Sequence, residues 1–309
     1  MIKVFGHINP DTDTVGSAIV MTWYLNNFTS LKANSYVLGP LNKETQFVLN
    51  RWGVKEPELL EKVEAGEQVV VVDTNNPQEL LPNINDTEIL YIVDHHALVG
   101  GLKTNKPANI FIRHHASTIS VINDLISPAN EDKIPTDIAG IMLSCLLSDT
   151  LAFRSPTTTP HDKDLAERLA LKLNINIEEY SKEMFMAKSD ISDFTDHGLV
   201  LLDSKKYEVG NKNFRVSVCE TTNPEVILAR YDGIVKTIEQ IKKEDSSISD
   251  VLFFIVDILK EESTVFTYND FIKKMIAISF GVQVTSNTEV LPGIVSRKKQ
   301  IVPDLRLPE

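Results

Sequence analysis

Cysteine is scarce: the 309-residue chain holds two, Cys145 and Cys219, both inside apolar stretches. That excludes a disulfide framework and makes a reducing, cytoplasmic setting the expectation. A basic surplus is missing as well, since 43 acidic residues against 31 basic ones leave a formal charge of −12. Proteins that hold nucleic acid by diffuse charge need the opposite balance, so nucleic acid is not expected as a partner. A small anion held by bound cations is not excluded, because metal ions invert the local field. The longest apolar run, around 251–259, is interrupted by Asp257 and is too short to span a bilayer. The N-terminus lacks the basic and apolar regions of a signal peptide, so no membrane partner is expected. Internal repeats and low-complexity tracts are absent too.

What is present is an alternation of short apolar runs with amphipathic segments. The length suggests two domains. Strand candidates lie at 2–7, 35–38, 69–73, 89–94 and 109–113, and helix candidates at 15–27, 43–52, 118–126, 136–148 and 162–173. The run "VVVVD" is apolar and β-branched throughout, which suits a parallel strand buried on both faces. This pattern predicts an α/β fold, with an N-terminal parallel-sheet domain at 1–187. The polar stretch "AKSDISDFTD" predicts a linker at 188–196. A smaller C-terminal α/β domain follows at 197–309, with strands near 214–219 and 251–256, helices near 225–242 and 269–279, and the basic tail "VSRKKQIVP".

Several apolar runs end in metal-ligand residues: the first in His7, the third in Asp73 and the fourth in Asp94-His95-His96. In a parallel sheet the carboxyl ends of the strands share one edge, where open α/β folds bind ligands. Asp11 and Asp13 would join them from the first loop, and Asp149 from the end of a nearby helix. Taken singly, Asp11 and Asp13 fit turn and helix-cap residues, and His95-His96 fits a surface pair. Convergence at one edge favours the metal reading. Mixed oxygen and imidazole donors suit manganese, cobalt or zinc more than calcium. Two histidines and four carboxylates exceed what one ion requires, while two ions sharing Asp73 would use all six.

The stretches "GHINPDTD", "VVVVDTN", "IVDHHA", "LSDTLAFRSPT" and "VSRKKQ" resemble the motifs of the family II inorganic pyrophosphatases, manganese- or cobalt-dependent members of the DHH phosphoesterase superfamily. The resemblance implies that His7, Asp11 and Asp73 hold one metal, and Asp13, Asp73, His95 and Asp149 the other. It implies that His96, Lys205, Arg297 and Lys298 contact the substrate, and that the active site lies in an interdomain cleft. Asp94 is expected to orient a ligating imidazole, and Lys206 is a neighbour that sequence does not separate from Lys205. The implied cofactors are two Mn2+ (or Co2+) per subunit, with Mg2+ arriving on the substrate. The implied partner is pyrophosphate, and the implied assembly a homodimer. The reaction would be attack by a metal-bridging hydroxide on phosphorus, yielding two phosphates.

Where relatives carry a Glu-Pro-x-Gly stretch, this chain reads "RHHAST". His114-His115 is expected to be a solvent-facing or structural pair, not a ligand pair. Spacing between Asp73, Asp94 and Asp149 leaves no room for the regulatory nucleotide-binding insert of some relatives. Alternative functions are a polyphosphatase or oligonucleotide phosphodiesterase of the same superfamily, or a catalytically silent metal or nucleotide sensor. The missing basic, aromatic stacking surface disfavours oligonucleotides.

Overall fold

Two strands with neighbouring carboxyl ends, 66 residues apart in their first register pair, organise the first half of the chain: β1 (Ile2–Phe5) and β4 (Gln68–Val72). The structure is a computed structural model that describes residues 1–308, apart from the side chains of Lys298 and Lys299. The predicted substrate contact of Lys298 therefore lies outside the described residues. The chain divides into two units, Met1–Ala187 and Lys188–Glu309. Among the described residues no helix is long and apolar enough to cross a membrane.

In the first unit β1 and β4 are joined by β2 (Ala33–Val37), β3 (Glu58–Leu59), β5 (Glu88–Asp94) and β6 (Asn109–Ile112). The order is β3-β2-β1-β4-β5-β6, and every pairing is parallel. The four valines of β4 are fully buried, as expected for a central strand covered on both faces. Chain direction across the sheet reverses between β1 and β4, and such a switch point leaves a crevice at the carboxyl ends of the strands. Asp73 follows β4 directly, and His7 follows β1 after Gly6.

The helices of this unit are α1 (Thr12–Phe28), α2 (Lys43–Trp52), α3 (Thr118–Asn123), α4 (Thr136–Asp149), α5 (Pro160–Leu173) and α6 (Ile177–Lys188). Helix α4 is buried continuously from Ile138 to Ser148, so it is an inner helix and not an amphipathic surface one. It approaches α1 closely, and a Cβ added at Gly16 would lie 2.1 Å from Cys145 Sγ. Helix α5 opens with a reciprocal cap between Thr159 and Asp162.

The second unit is a mixed sheet in the order β11-β10-β9-β8-β7. Its strands are β7 (Ser204–Val209), β8 (Lys212–Thr221), β9 (Asp250–Asp257), β10 (Glu262–Phe266) and β11 (Thr288–Pro292). Only the β8–β9 pair is parallel. All eight residues of β9 are buried, because separate apolar clusters cover its two faces: Leu252 and Phe254 belong to one, Val251 and Phe253 to the other. Helices α7 (Asp196–Leu201), α8 (Glu225–Leu228), α9 (Tyr231–Glu244) and α10 (Asp270–Phe280) complete the unit, with a π-helical turn at Arg297–Ile301 and a short helix at Val302–Asp304. The single helix expected at 225–242 is two helices. Between them Arg230 leaves helical geometry, and its guanidinium binds Asp196 at 2.6 Å and the Ile191 carbonyl at 3.3 Å.

Candidate metal centre

The crevice begins with a glycine. A Cβ at Gly6 would meet Thr14 Cγ2 at 2.7 Å and the Val72 carbonyl at 2.8 Å, so only glycine lets the end of β1 pass this close to β4 and α1. The chain then presents His7 and turns into α1. Asp11 caps that helix, accepting from Thr14 N at 2.9 Å through Oδ1. Its second oxygen lies 3.7 Å from His7 Nε2, so the capping role and a ligand role coexist in one carboxylate. Asp13 sits in the first helical turn, fully buried, where the positive end of the helix dipole favours a negative charge.

Asp73, the residue just after β4, lies in the left-handed region, with φ of 57°. That conformation is uncommon for a residue with a Cβ, and it is held because the surroundings fix it. The Asp73 N–H donates to the Val93 carbonyl at 2.9 Å. Hydroxyls hold the carboxylate: Thr118 donates to Oδ1 at 2.9 Å, and Thr14 donates to Oδ2. Oδ2 lies 3.4 Å from His7 Nε2, while Oδ1 lies 3.5 Å from His95 Nε2. The two oxygens therefore face different histidines. Asp13 is held likewise, by Ser117 Oγ and by the Thr118 N–H, each at 2.7 Å.

Strand β5 delivers Asp94, His95 and His96. His95 Nδ1 donates to the His115 carbonyl at 3.1 Å, which fixes the tautomer and leaves Nε2 open toward Asp73. Asp94 is fully buried and accepts from the N–H groups of His95 and His96, from Asn75 at 2.6 Å, and from His96 Nδ1 at 2.8 Å. It thus orients the imidazole of His96 instead of that of His95, whose orienting partner is a backbone carbonyl. His7, Asp11 and Asp73 form one group with possible ligand atoms within 4.8 Å of one another, and Asp13, His95 and Asp149 form a second. Asp73, His95 and His96 form a further overlapping group.

The electrostatics ask for cations. Among the described residues no lysine or arginine pairs with Asp11, Asp13, Asp73 or Asp149. Burial, then the neighbouring Asp73 charge, pushes Asp13 up to about 7. Burial and the charges of Asp13, Asp11 and Asp73 push Asp149 well above the usual carboxylate range. Burial opposes the charged form of His7, yet Asp11 and Asp73 outweigh it and raise the imidazole to about 10. His95 goes up to about 9, burial again being outweighed by Asp73 and Asp13. Asp149 Oδ2 is shielded from solvent and makes no hydrogen bond among the described residues. A buried carboxylate oxygen with no donor, among other carboxylates, fits a divalent cation.

In the second unit Lys205 is exposed on β7, and it forms no ion pair among the described residues. Its neighbour Lys206 instead binds Asp245 at 2.6 Å. Arg297 donates through Nη1 to the Asp203 carbonyl and lies with Nη2 against Asp203 Oδ1, both at 2.7 Å, and its side chain is only 9% exposed. His114 is exposed, whereas His115 groups with Asp124 and His161. Sequence reasoning did not find Thr14, Asn75, Ser117 and Thr118, which hold the carboxylates. Their hydroxyl and amide side chains are too common to stand out. "RHHAST" drew attention to its histidines, although its Ser-Thr end is what reaches Asp13 and Asp73.

A parallel sheet with histidine and aspartate at its switch point, followed by a second α/β unit, defines the DHH–DHHA2 class. The DHH family N-terminal domain matches residues 1–146, and the DHHA2 domain matches residues 182–307. The manganese-dependent inorganic pyrophosphatase of Methanocaldococcus jannaschii is 33% identical over 99% of this chain and 98% of its own length. A Deinococcus radiodurans protein assigned to the same enzyme family is 36% identical, with 99% of this chain and 98% of that protein covered. A crystal structure of a Methanococcus jannaschii protein assigned to the family II inorganic pyrophosphatases superposes with a TM-score of 0.65 at 33% identity, covering 98% of each chain. The chain belongs to the family II, manganese-dependent inorganic pyrophosphatases.

Proposed function

We propose that the chain hydrolyses inorganic pyrophosphate to two phosphates with manganese, or alternatively cobalt, at the switch-point centre. The observation that carries this reading is Asp73, whose carboxylate oxygens face His7 at 3.4 Å and His95 at 3.5 Å. One carboxylate aimed two ways suits two ions, His7, Asp11 and Asp73 holding one and Asp13, Asp73, His95 and Asp149 the other. Family membership supports the substrate. When bound, the two cations would lower the pKa of coordinated water toward roughly 7 and offset phosphate charge.

The remaining work falls to side chains. Asp94 accepts the proton on His96 Nδ1, so His96 Nε2 is the atom left to donate to a phosphate oxygen. Asp94 also raises the His96 imidazole above its ordinary value, against the opposing effect of burial. His96 and His7 line one surface pocket with Ile8, Asn9 and Glu79. Lys205, Arg297 and Lys298 bind the distal charge of pyrophosphate together with magnesium, arginine through its planar fork and lysine as a point charge. The family resemblance extends the proposal to a cytoplasmic homodimer.

The test is phosphate release from pyrophosphate, tripolyphosphate and a dinucleotide. Release from pyrophosphate that needs manganese, stops on chelation and returns on reloading is the expected result. Undiminished turnover in excess chelator, or faster release from either other substrate, overturns the reading.

A further inference from the structure

We propose that His115, Asp124 and His161 form a third cation site, separate from the switch-point centre, that takes a divalent transition metal such as zinc, cobalt or nickel. Three elements bring these residues together. His115 follows β6, Asp124 terminates α3, and His161 lies in the first turn of α5. One possible ligand atom from each lies within 4.8 Å of the others. Asp124 is the pivot: Oδ2 is 3.3 Å from His115 Nε2, and Oδ1 is 3.4 Å from His161 Nε2. The two imidazoles stack with centroids 4.4 Å apart and planes 20° apart, so both present an edge to the same carboxylate.

Hydrogen bonding alone leaves this cluster unfinished. His161 Nε2 is shielded from solvent and makes no hydrogen bond among the described residues, despite its nearness to Asp124, and the same holds for His115 Nδ1. A buried ring nitrogen with no partner costs free energy, and a cation accepting the Nε2 lone pair removes that cost at His161. No lysine or arginine pairs with Asp124 among the described residues, so its charge is free to face an ion. Two imidazoles and one carboxylate make the donor set that zinc, cobalt and nickel favour over magnesium or calcium. Asp124 and His161 side chains are 37% and 35% exposed, so an ion can enter from solvent and complete its shell with water.

The ligands are also held in place. Asp162, next to His161, accepts from Ala116 N at 3.0 Å and from Ser120 Oγ at 2.5 Å, tying the start of α5 to the segment that carries His115. Such outer support is what distinguishes a formed site from a chance cluster. The same segment touches the switch-point centre, where the His115 carbonyl receives the His95 Nδ1 proton at 3.1 Å.

The experiment counts metal and does not depend on turnover, so it stands apart from the pyrophosphatase reading. The full chain is saturated with manganese, then dialysed against micromolar zinc, and total divalent metal per chain is counted by mass spectrometry. The wild type is compared with H161Q, D124N and H114A, each checked for folding by circular dichroism. Exchange of zinc for manganese at the switch-point centre leaves the total unchanged, so only an additional site raises it. The expected result is one more equivalent per chain in the wild type and H114A than in H161Q and D124N. Cobalt in place of zinc should reproduce the difference as visible absorption lost in the same two variants. Equal totals in all four proteins, as an ion-pair cluster alone would give, overturn the proposal. So does a loss confined to H114A, which would assign the extra metal to the exposed imidazole.

Discussion

In the first unit four carboxylates share the strand edge with two imidazoles and no lysine or arginine among the described residues, whereas in the second unit the cations bring their own counter-charges. Arg297 sits on Asp203, while Lys206 and Arg215 share Asp245. Of the two proposed substrate cations whose side chains are described, Arg297 and Lys205, only Lys205 stands in solvent with no such partner among the described residues. The difference lies in what each set waits for. Asp11, Asp13 and Asp73 are fixed by hydroxyl and backbone donors, yet no lysine or arginine among the described residues offsets the four crowded carboxylates, so they call for ions from outside. The cations are largely neutralised already, and an incoming anion must compete with aspartate for Arg297. Substitutions in the first set should therefore remove a cofactor, and those in the second should only weaken an exchange.

Asp73→Ala should have the largest effect. It removes the carboxylate assigned to both ions and leaves Asp13 and Asp149 buried together. Breaking a buried charge partnership costs about 3–5 kcal/mol, so manganese affinity should fall by more than roughly a hundredfold. Asp11→Ala should cost less, since Asp11 is 51% exposed and assigned to one ion. Manganese titration of the two variants checks this, and equal losses would put the shared ligand elsewhere.

Next comes the metal-free protein. Folded-state values of about 10 for His7 and about 9 for His95 lie above the ordinary imidazole value of 6.5. Groups raised on folding contribute stability that is fully present below pH 6.5 and lost as pH rises through 9 to 10. Chelated protein should therefore lose thermal stability between pH 6 and pH 9.5. Manganese-loaded protein should not, because the ions take the place of those protons. Melting curves of both forms across this range decide it. A parallel decline in both would mean that the imidazoles and the ions do not compete.

Arg297→Ala should keep the metals and raise the pyrophosphate KM at least about tenfold, the loss expected for a charge-assisted bond of about 1.5–3 kcal/mol. The comparison sharpens with Asp203→Asn, which removes the competing carboxylate and should lower KM modestly. If Asp203→Asn raises KM instead, Asp203 positions the guanidinium and does not compete for it.

Legibility in the sequence followed the same division. A parallel sheet collects strand ends from distant parts of the chain, so the run of valines ending in Asp73 and the run ending in Asp94-His95-His96 could be read together before any contact was known. The strands themselves stop at Phe5 and Val72, one or two residues short of expectation, because the chain must already turn to present His7 and Asp73. The hydroxyl holders and the His115–Asp124–His161 cluster depend on how α3 and α5 dock, which no local pattern encodes. In the second unit β7, β10 and β11 escaped notice. "SKKYEV" is mostly exposed or half-buried and becomes a strand only through its antiparallel pairing with β8. The interruption at Arg230 was equally invisible, since it depends on Asp196, far back in the chain.

The smallest effect should separate two adjacent lysines. Lys205 and Lys206 are consecutive on β7, so their side chains leave opposite faces of the strand. Lys206 is occupied by Asp245 at 2.6 Å and by Ser247 Oγ at 2.9 Å, and Asp245 is held well below the usual carboxylate range, with Lys206 as the leading cause. A lysine bound in this way has little reason to leave its partner for a phosphate. Its contribution is that of a surface ion pair, which solvent screening keeps small. Lys206→Ala should therefore leave the pyrophosphate KM within about twofold and lower the melting temperature only slightly. Lys205→Ala removes an unpaired ammonium from the opposite face and should raise KM several-fold with little change in melting temperature. Kinetics and melting curves on the two variants form a crossed pair: one moves binding, the other stability. If Lys206→Ala raises KM as much as Lys205→Ala, the face of β7 does not decide which cation meets substrate, and the contrast between neutralised and waiting charges fails within the second unit.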